Sequence, residues 1–176
     1  MRALAHFPGL EASPWHDWRQ FRWLADLQDQ RRTIAGELRE CIGAGAWGSA
    51  WEGNDCYRFD EHGWSQIPLA SYGRLHPEAH ALFPRTLELL RGAPIGPREV
   101  SIVRQAGRRG LPRHSDQRNY MLTAHVVLQG TGCVLHCDGE ARLWHEGAEP
   151  TVIDTTFWHA TANESAEPVY VLLVDF

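Results

Sequence analysis

Two histidines and one carboxylate stand out by type and spacing. His114 and Asp116 are two residues apart, and His159 follows 45 positions after His114. Two imidazoles and a carboxylate on one face of a metal ion leave the opposite positions open. Non-heme Fe(II) oxygenases need this arrangement, because O2 and a co-substrate must both coordinate. Side chains two residues apart share one side of an extended strand, so His114 and Asp116 can address a single ion. His159 must then arrive from a distant strand. A second reading stays open at this point: among ten histidines, one His-x-Asp is equally an ordinary hydrogen-bonded pair at a strand end.

A fold able to join these residues is legible downstream of Glu99. Six β-like runs, 99–105, 119–129, 132–137, 140–145, 150–154 and 168–175, are separated by turn residues, as in a sandwich or jelly roll and unlike alternating β-α units. In 120–128, Tyr120, Leu122, Ala124, Val126 and Leu128 face one side, and Met121, Thr123, His125 and Val127 the other. Both faces are largely apolar, yet one carries Thr123 and His125, as expected when that face lines a pocket.

Upstream, the pattern predicts helices. Ser13-Pro14 is a start signal, and Trp15, Trp18, Phe21 and Leu24 recur every three residues as one aromatic stripe. A second helix is expected over 31–41, with Ile34 and Leu38 four apart, and a loop over 42–55 that can cover a site. Short strands are expected at 56–60 and 64–69, then a helix from Pro77 with Phe83, Leu87 and Leu90 on one face, broken or restarted at Pro84.

Composition narrows the class. At 176 residues one domain is expected over 1–176, with 1–55 as a helical and loop extension and 56–176 as the core. The content is 43% hydrophobic and 22% charged, ordinary for a globular chain, and the formal charge of −5 lacks the positive field of a dedicated nucleic-acid binder. The longest apolar run, 169–174, is far short of the roughly 20 residues that span a bilayer. No signal peptide precedes Pro8, so the four cysteines are expected as reduced thiols and the location as cytoplasmic.

Beyond these patterns, the chain resembles the aspartyl/asparaginyl β-hydroxylase family of Fe(II)/2-oxoglutarate dioxygenases. The resemblance runs from about residue 64 to 176, through the blocks WSQIPL (64–69), FPRTLELL (83–90), SIV (101–103), Gly107, HSDQRN (114–119), LTAH (122–125), WHEG (144–147), DTTFWH (154–159), Asn163 and LLVD (172–175). It implies a mainly β core, a double-stranded β-helix of the jelly roll or cupin type with N-terminal helices. It also implies Fe(II) on His114, Asp116 and His159, with 2-oxoglutarate and O2 as co-substrates. Asp116 stands where some members have a glycine, which disfavours halogenation. His125 matches a histidine that contacts the co-substrate carboxylate, and Thr123 a position where some members carry a basic side chain.

One position departs from the family. Members usually carry an arginine ten residues after the distal histidine, where its fork pairs the far carboxylate of 2-oxoglutarate; here that position is Val169. An unpaired carboxylate in a partly dry pocket costs several kcal/mol. Either another cation substitutes, or 2-oxoglutarate is not used; Arg104 and Arg142 are the candidates, each otherwise a solvated surface charge. Arg118 and Asn119 are candidates for binding a polar substrate or for holding the turn. Trp158 is a candidate for shaping the substrate pocket or for core packing. Asp154 is a candidate for orienting a metal histidine. Cys133 and Cys137, with His136 and His145, could be drawn as a zinc site, but alternation sends His136 and Cys137 opposite ways, and packed thiols are the expectation.

Three functions follow: a 2-oxoglutarate-dependent hydroxylase acting on an amino-acid-like or carrier-tethered small molecule, an iron oxygenase of the same fold whose substrate chelates the metal directly, and a cupin-like binder without catalysis. The three retained ligand residues favour an oxygenase over a binder. No nucleic-acid or membrane partner is expected.

Overall fold

The computed structural model describes residues 7–47, 60–96 and 98–176. Among these, ten strands form two antiparallel sheets. The strands are β1 (Trp15–His16), β2 (Trp64–Ser71), β3 (Arg74–Leu75), β4 (Glu99–Gln105), β5 (Thr123–Gln129), β6 (Thr131–Cys137), β7 (Glu140–His145), β8 (Thr151–Ile153), β9 (His159–Asn163) and β10 (Val169–Asp175). The large sheet has the order β1-β8-β5-β10-β4-β2-β3, and the small one β7-β6-β9. The two face each other as a jelly roll, the double-stranded β-helix expected from the sequence.

Alternation along the strands sorts side chains into two layers. Ala124, Val126 and Leu128 of β5, Leu172 and Val174 of β10 and Val100 and Ile102 of β4 face outward, under the helices. Those helices are α1 (Arg22–Asp29), α2 (Arg31–Gly43) and α3 (Pro84–Leu90). Ile34, Leu38 and Cys41 of α2 and Leu87 and Leu90 of α3 fill this layer. Buried Glu37 of α2 accepts from the backbone N–H groups of Arg85 (2.7 Å) and Thr86 (3.0 Å), satisfying donors that the first turn of α3 leaves free. Pro84 restarts the chain as a helix after a 3-10 turn at Pro77–Ala81. The other layer, between the sheets, is closed at one end by Val127, Cys133, Leu135, Trp144, Val169 and Val171.

The N-terminal stripe departs from expectation. Trp15 is not helical but pairs with Ile153 as an edge strand, while Trp18–Gln20 is a 3-10 turn capped by Asp17 and not by Ser13. Trp15 therefore packs against the inter-sheet core, whereas Trp18, Phe21 and Trp23 pack under the helices. The short strand β8 offers an edge for pairing, and occupying it outweighs the helical spacing. The expected strand at 56–60 lies largely outside the described residues, as does most of the expected loop; of 42–47, the first two residues extend α2 and Trp47 packs on Tyr170. β9 was not among the six runs expected, although His159, its first residue, was expected to arrive on a distant strand.

Residues 108–116 lie alongside β9 as an irregular extra strand. Arg108 donates its backbone N–H to Ser165 (2.9 Å), Asn163 to Arg109 (2.8 Å), and His114 and His159 exchange a reciprocal pair at 2.9 Å each. Two glycines permit this approach: a Cβ at Gly107 would lie 2.0 Å from the Ala166 carbonyl oxygen, and one at Gly110 2.1 Å from that of Thr161. That pairing positions the site.

Candidate metal centre

The backbone pair between His114 and His159 sets their imidazoles side by side, with ring centroids 4.2 Å apart. Asp116 is held next to them by its own N–H, which donates to the Thr155 carbonyl at 2.9 Å. One ligand atom from each of the three residues lies within 4.8 Å of the others. Each histidine is oriented from behind: Nδ1 of His114 meets the Pro112 carbonyl at 2.8 Å, and Nδ1 of His159 the Phe157 carbonyl at 2.9 Å. A carbonyl can only accept, so both Nδ1 atoms carry a proton, and in the neutral ring the Nε2 lone pair is the one left for a metal. Burial, with His114 close by, lowers the His159 pKa and keeps the ring in the neutral form a metal requires. Asp154, expected to orient a metal histidine, instead caps its own turn through the N–H (2.9 Å) and hydroxyl (2.6 Å) of Thr156. Backbone carbonyls do the orienting.

The donors open into a cavity of about 160 Å³ between the sheets. Thr123 and His125 line it as alternation requires. His125 is 5% exposed, its ring is 5.1 Å from Trp144, and its Nδ1 has no partner among the described residues. Burial, reinforced by His159, pushes its pKa down to about 3, so it stays neutral. Arg118 also lines the cavity and makes no ion pair among the described residues. The Thr123 hydroxyl donates to Asp175 at 2.7 Å.

Several expected residues lie elsewhere. Arg104 shares the outward face of Val100 and Ile102 and pairs in register with Tyr170 and Ser65, away from the cavity. Arg142 is exposed on β7, over the Trp15 ring (4.8 Å) and against Glu140 (3.6 Å). Neither arginine can reach a cavity carboxylate. The Asn119 amide is used by the backbone of Phe7, at 2.8 and 2.9 Å. Trp158 is 36% exposed and stacks with Arg113 outside the cavity. Val169 is fully buried in the apolar end of the inter-sheet core. Cys133 and Cys137 are buried free thiols, pushed up to about 12 chiefly by burial, and His136 is exposed, so no zinc site forms there.

The cavity is also lined by three charged residues to which the sequence reading gave no role: Arg98, Glu99 and Asp175. Arg98, one residue before β4, donates from Nη1 to Asp116 Oδ2 at 2.5 Å, and its Nε is 3.9 Å from Asp175 Oδ2. Asp175, at the end of β10, is 1% exposed, and burial raises its pKa to about 7. Asp175 is the one charge in the run 169–175, a signal that was available. Arg98 had no comparable cue, since its partners are far off in sequence.

The profile of the family described as Aspartyl/Asparaginyl beta-hydroxylase matches residues 28–176. The chain belongs to the aspartyl/asparaginyl beta-hydroxylase family. This hydroxylase-family chain is also similar to solved cupin structures. The Cupin_2 domain of an XRE family transcriptional regulator from Enterobacter cloacae is 16% identical, with 64% of this chain and 95% of that one covered and a TM-score of 0.45. A Cupin 2 conserved barrel domain protein from Salinispora arenicola is 14% identical, with 71% and 90% covered and a TM-score of 0.44. KdgF from Halomonas sp. is 13% identical, with 69% and 86% covered and a TM-score of 0.45.

Proposed function

We propose that the protein is an Fe(II)-dependent oxygenase that hydroxylates a small substrate, with 2-oxoglutarate as co-substrate and His114, Asp116 and His159 as the metal ligands. What carries the reading is the donor set: two Nε2 atoms freed by backbone-bound Nδ1 groups, and a carboxylate oxygen beside them. Two neutral nitrogens and one oxygen on one side suit iron and leave room for further ligands. Bound there with 2-oxoglutarate and O2, iron supplies the oxidising power to hydroxylate an unactivated C–H bond.

The chain's own residues orient and shield. Arg98 holds one oxygen of Asp116 and leaves the other for the metal. His125, kept neutral by burial, offers a ring nitrogen to a co-substrate without adding charge. Leu135, Trp144, Ile153 and Leu173 keep water from the inner wall. With Arg104 and Arg142 facing elsewhere, Arg98 and Arg118 are the cavity-lining cations available to a co-substrate carboxylate.

The test is anaerobic loading with Fe(II) followed by the visible spectrum as 2-oxoglutarate is added. A saturable charge-transfer band is expected, lost in His159→Ala; a variant that still binds iron and turns over would defeat the ligand assignment. A second reading, favoured by the wholly apolar surroundings of Val169, is that the substrate chelates iron itself. Bound iron with no band on adding 2-oxoglutarate selects it.

A further inference from the structure

Five charged side chains line the cavity: Arg98, Glu99, Asp116, Arg118 and Asp175. Four of them are engaged with one another or with neutral donors. Arg98 is paired with Asp116 and has Asp175 and Glu99 around it. Asp175 also accepts from Thr123 at 2.7 Å, and Glu99 from Gln66 at 3.0 Å. Arg118 differs: its guanidinium has no ion pair and no hydrogen bond among the described residues.

Exposure also sets Arg118 apart from its neighbours in sequence. The run 108–118 holds Arg108, Arg109, Arg113 and Arg118. The first three are exposed, and Arg113 lies over the Trp158 ring; Arg118 is half-buried and lines the cavity. A fully solvated guanidinium needs no partner, whereas one partly withdrawn from water gains from an anion.

The backbone is built to hold Arg118 in that place. Before it, the Asp116 N–H donates to the Thr155 carbonyl at 2.9 Å, and the Ser115 hydroxyl to that of Thr156 at 2.8 Å. Gln117 then takes the left-handed conformation, with φ of 60°, and the residues on either side of it, Asp116 and Arg118, both line the cavity. After it, the Asn119 amide accepts from the Phe7 N–H at 2.8 Å and donates to the Phe7 carbonyl at 2.9 Å. The Phe7 ring meets Tyr120 edge-on, with centroids 5.7 Å apart. The turn is thus clamped on one side by the loop before β9 and on the other by the N-terminal segment.

A guanidinium fork pairs a carboxylate through two parallel bonds. A phosphate dianion is a poorer match, because Arg98 is already engaged and Glu99 and Asp175 share the cavity. We propose that Arg118 is the residue on which the cavity seats a ligand carboxylate, and that Asn119, clasped to Phe7, is the positioning residue that presents it. The anchor is then on the turn after Asp116 and not on β10, where Val169 is enclosed in the apolar core. This deepens the oxygenase reading and rests on it for the use of the cavity. Substrate and co-substrate are both sources of such a carboxylate, and the experiment separates them.

The probe is butyrate, with butyramide as its neutral counterpart of similar shape. Both are titrated into metal-free full-length protein at neutral pH and low ionic strength and followed by saturation-transfer NMR. Butyrate is expected to bind about tenfold tighter than the amide. Arg118→Met and Arg118→Gln should each remove that preference, Asn119→Ala should reduce it without changing butyramide binding, and Arg104→Met, which faces away from the cavity, should leave it intact. Equal binding of the two probes, no detectable butyrate binding, or an unchanged preference in either folded Arg118 variant overturns the proposal. The anaerobic Fe(II) protein then separates the sources, through its affinities for 2-oxoglutarate and for 2-oxobutyrate, which lacks the far carboxylate. Weakening of 2-oxoglutarate alone in Arg118→Met assigns the seat to the co-substrate; an Arg118-dependent butyrate preference with unchanged 2-oxoglutarate affinity assigns it to the substrate. Iron bound without a carboxylate preference defeats this inference alone, and an Arg118-dependent preference without iron binding defeats the oxygenase reading alone.

Discussion

Arg98 donates from Nη1 to Oδ2 of Asp116 at 2.5 Å, so one oxygen of that carboxylate is committed before any ligand arrives. The contact is partly screened, with the two side chains 35% and 15% exposed. Arg98 is in turn near Asp175, which is fixed by Thr123, so a chain of contacts from β5 and β10 ends on a candidate ligand.

Removing that contact should loosen the metal without unfolding the protein. Arg98→Met is expected to weaken Fe(II) or Mn(II) affinity by about 10- to 100-fold, the usual effect of losing a group that orients a ligand. Arg98→Lys should recover part of the loss. Metal titration with unfolding curves run in parallel checks this; unchanged affinity in a folded variant would make Arg98 irrelevant to Asp116.

Asp175 should make the metal-free protein less stable as pH rises. Its folded pKa is raised from 3.8 to about 7, so the folded state binds more protons than the unfolded state between those values. The group then favours folding most below about 4, and that contribution is lost as pH climbs through about 7. Its size is on the order of 4 kcal/mol. Asp175→Asn should therefore exceed the parent in stability by more at pH 8 than at pH 5. Urea denaturation at the two pH values decides, and an identical gap at both refutes it.

Gly110 should tolerate no side chain. A Cβ there would lie 2.1 Å from the Thr161 carbonyl oxygen, so Gly110→Ala must push residues 108–116 away from β9. A stability loss of about 2 kcal/mol or more is expected, together with weaker metal binding because His114 moves relative to His159. Wild-type metal affinity in this variant would show that the pairing does not set the ligand geometry.

The buried thiols should be inert in the folded state. Cys133 and Cys137 are pushed up to about 12, and burial also raises Cys41. At pH 8 all three should resist a disulfide exchange reagent and react quickly once urea unfolds the chain. Peptide mapping after brief labelling checks each site.

Much of this architecture was legible because the apolar pattern and the fold agree. β5 carries two kinds of face, and both fell where alternation put them, with Val126 and Leu128 under the helices and Thr123 and His125 in the cavity. The grouping of His114, Asp116 and His159, which the structure brings within 4.8 Å of one another, was suggested by residue type and spacing and favoured by the family resemblance. β9 was not legible, because its inward side chains, His159, Thr161 and Asn163, are polar and its others are small; a strand built to line a site loses the apolar alternation that marks strands. Which way Arg104 and Arg142 face was not legible for a related reason. A lone arginine carries no sign of which layer it faces until its strand's register is known, and Arg98 acquires its role only from Asp116 and Asp175, brought in by other elements.

The reciprocal backbone pair between His114 and His159 makes the centre a gauge of strand alignment. Sliding β9 by one residue against 108–116 would present Trp158 or Ala160 opposite His114 and turn His159 to the other side. An ion drawn to both imidazoles therefore favours one alignment over its neighbours, so metal occupancy should report whether two segments 45 residues apart have met in the correct frame.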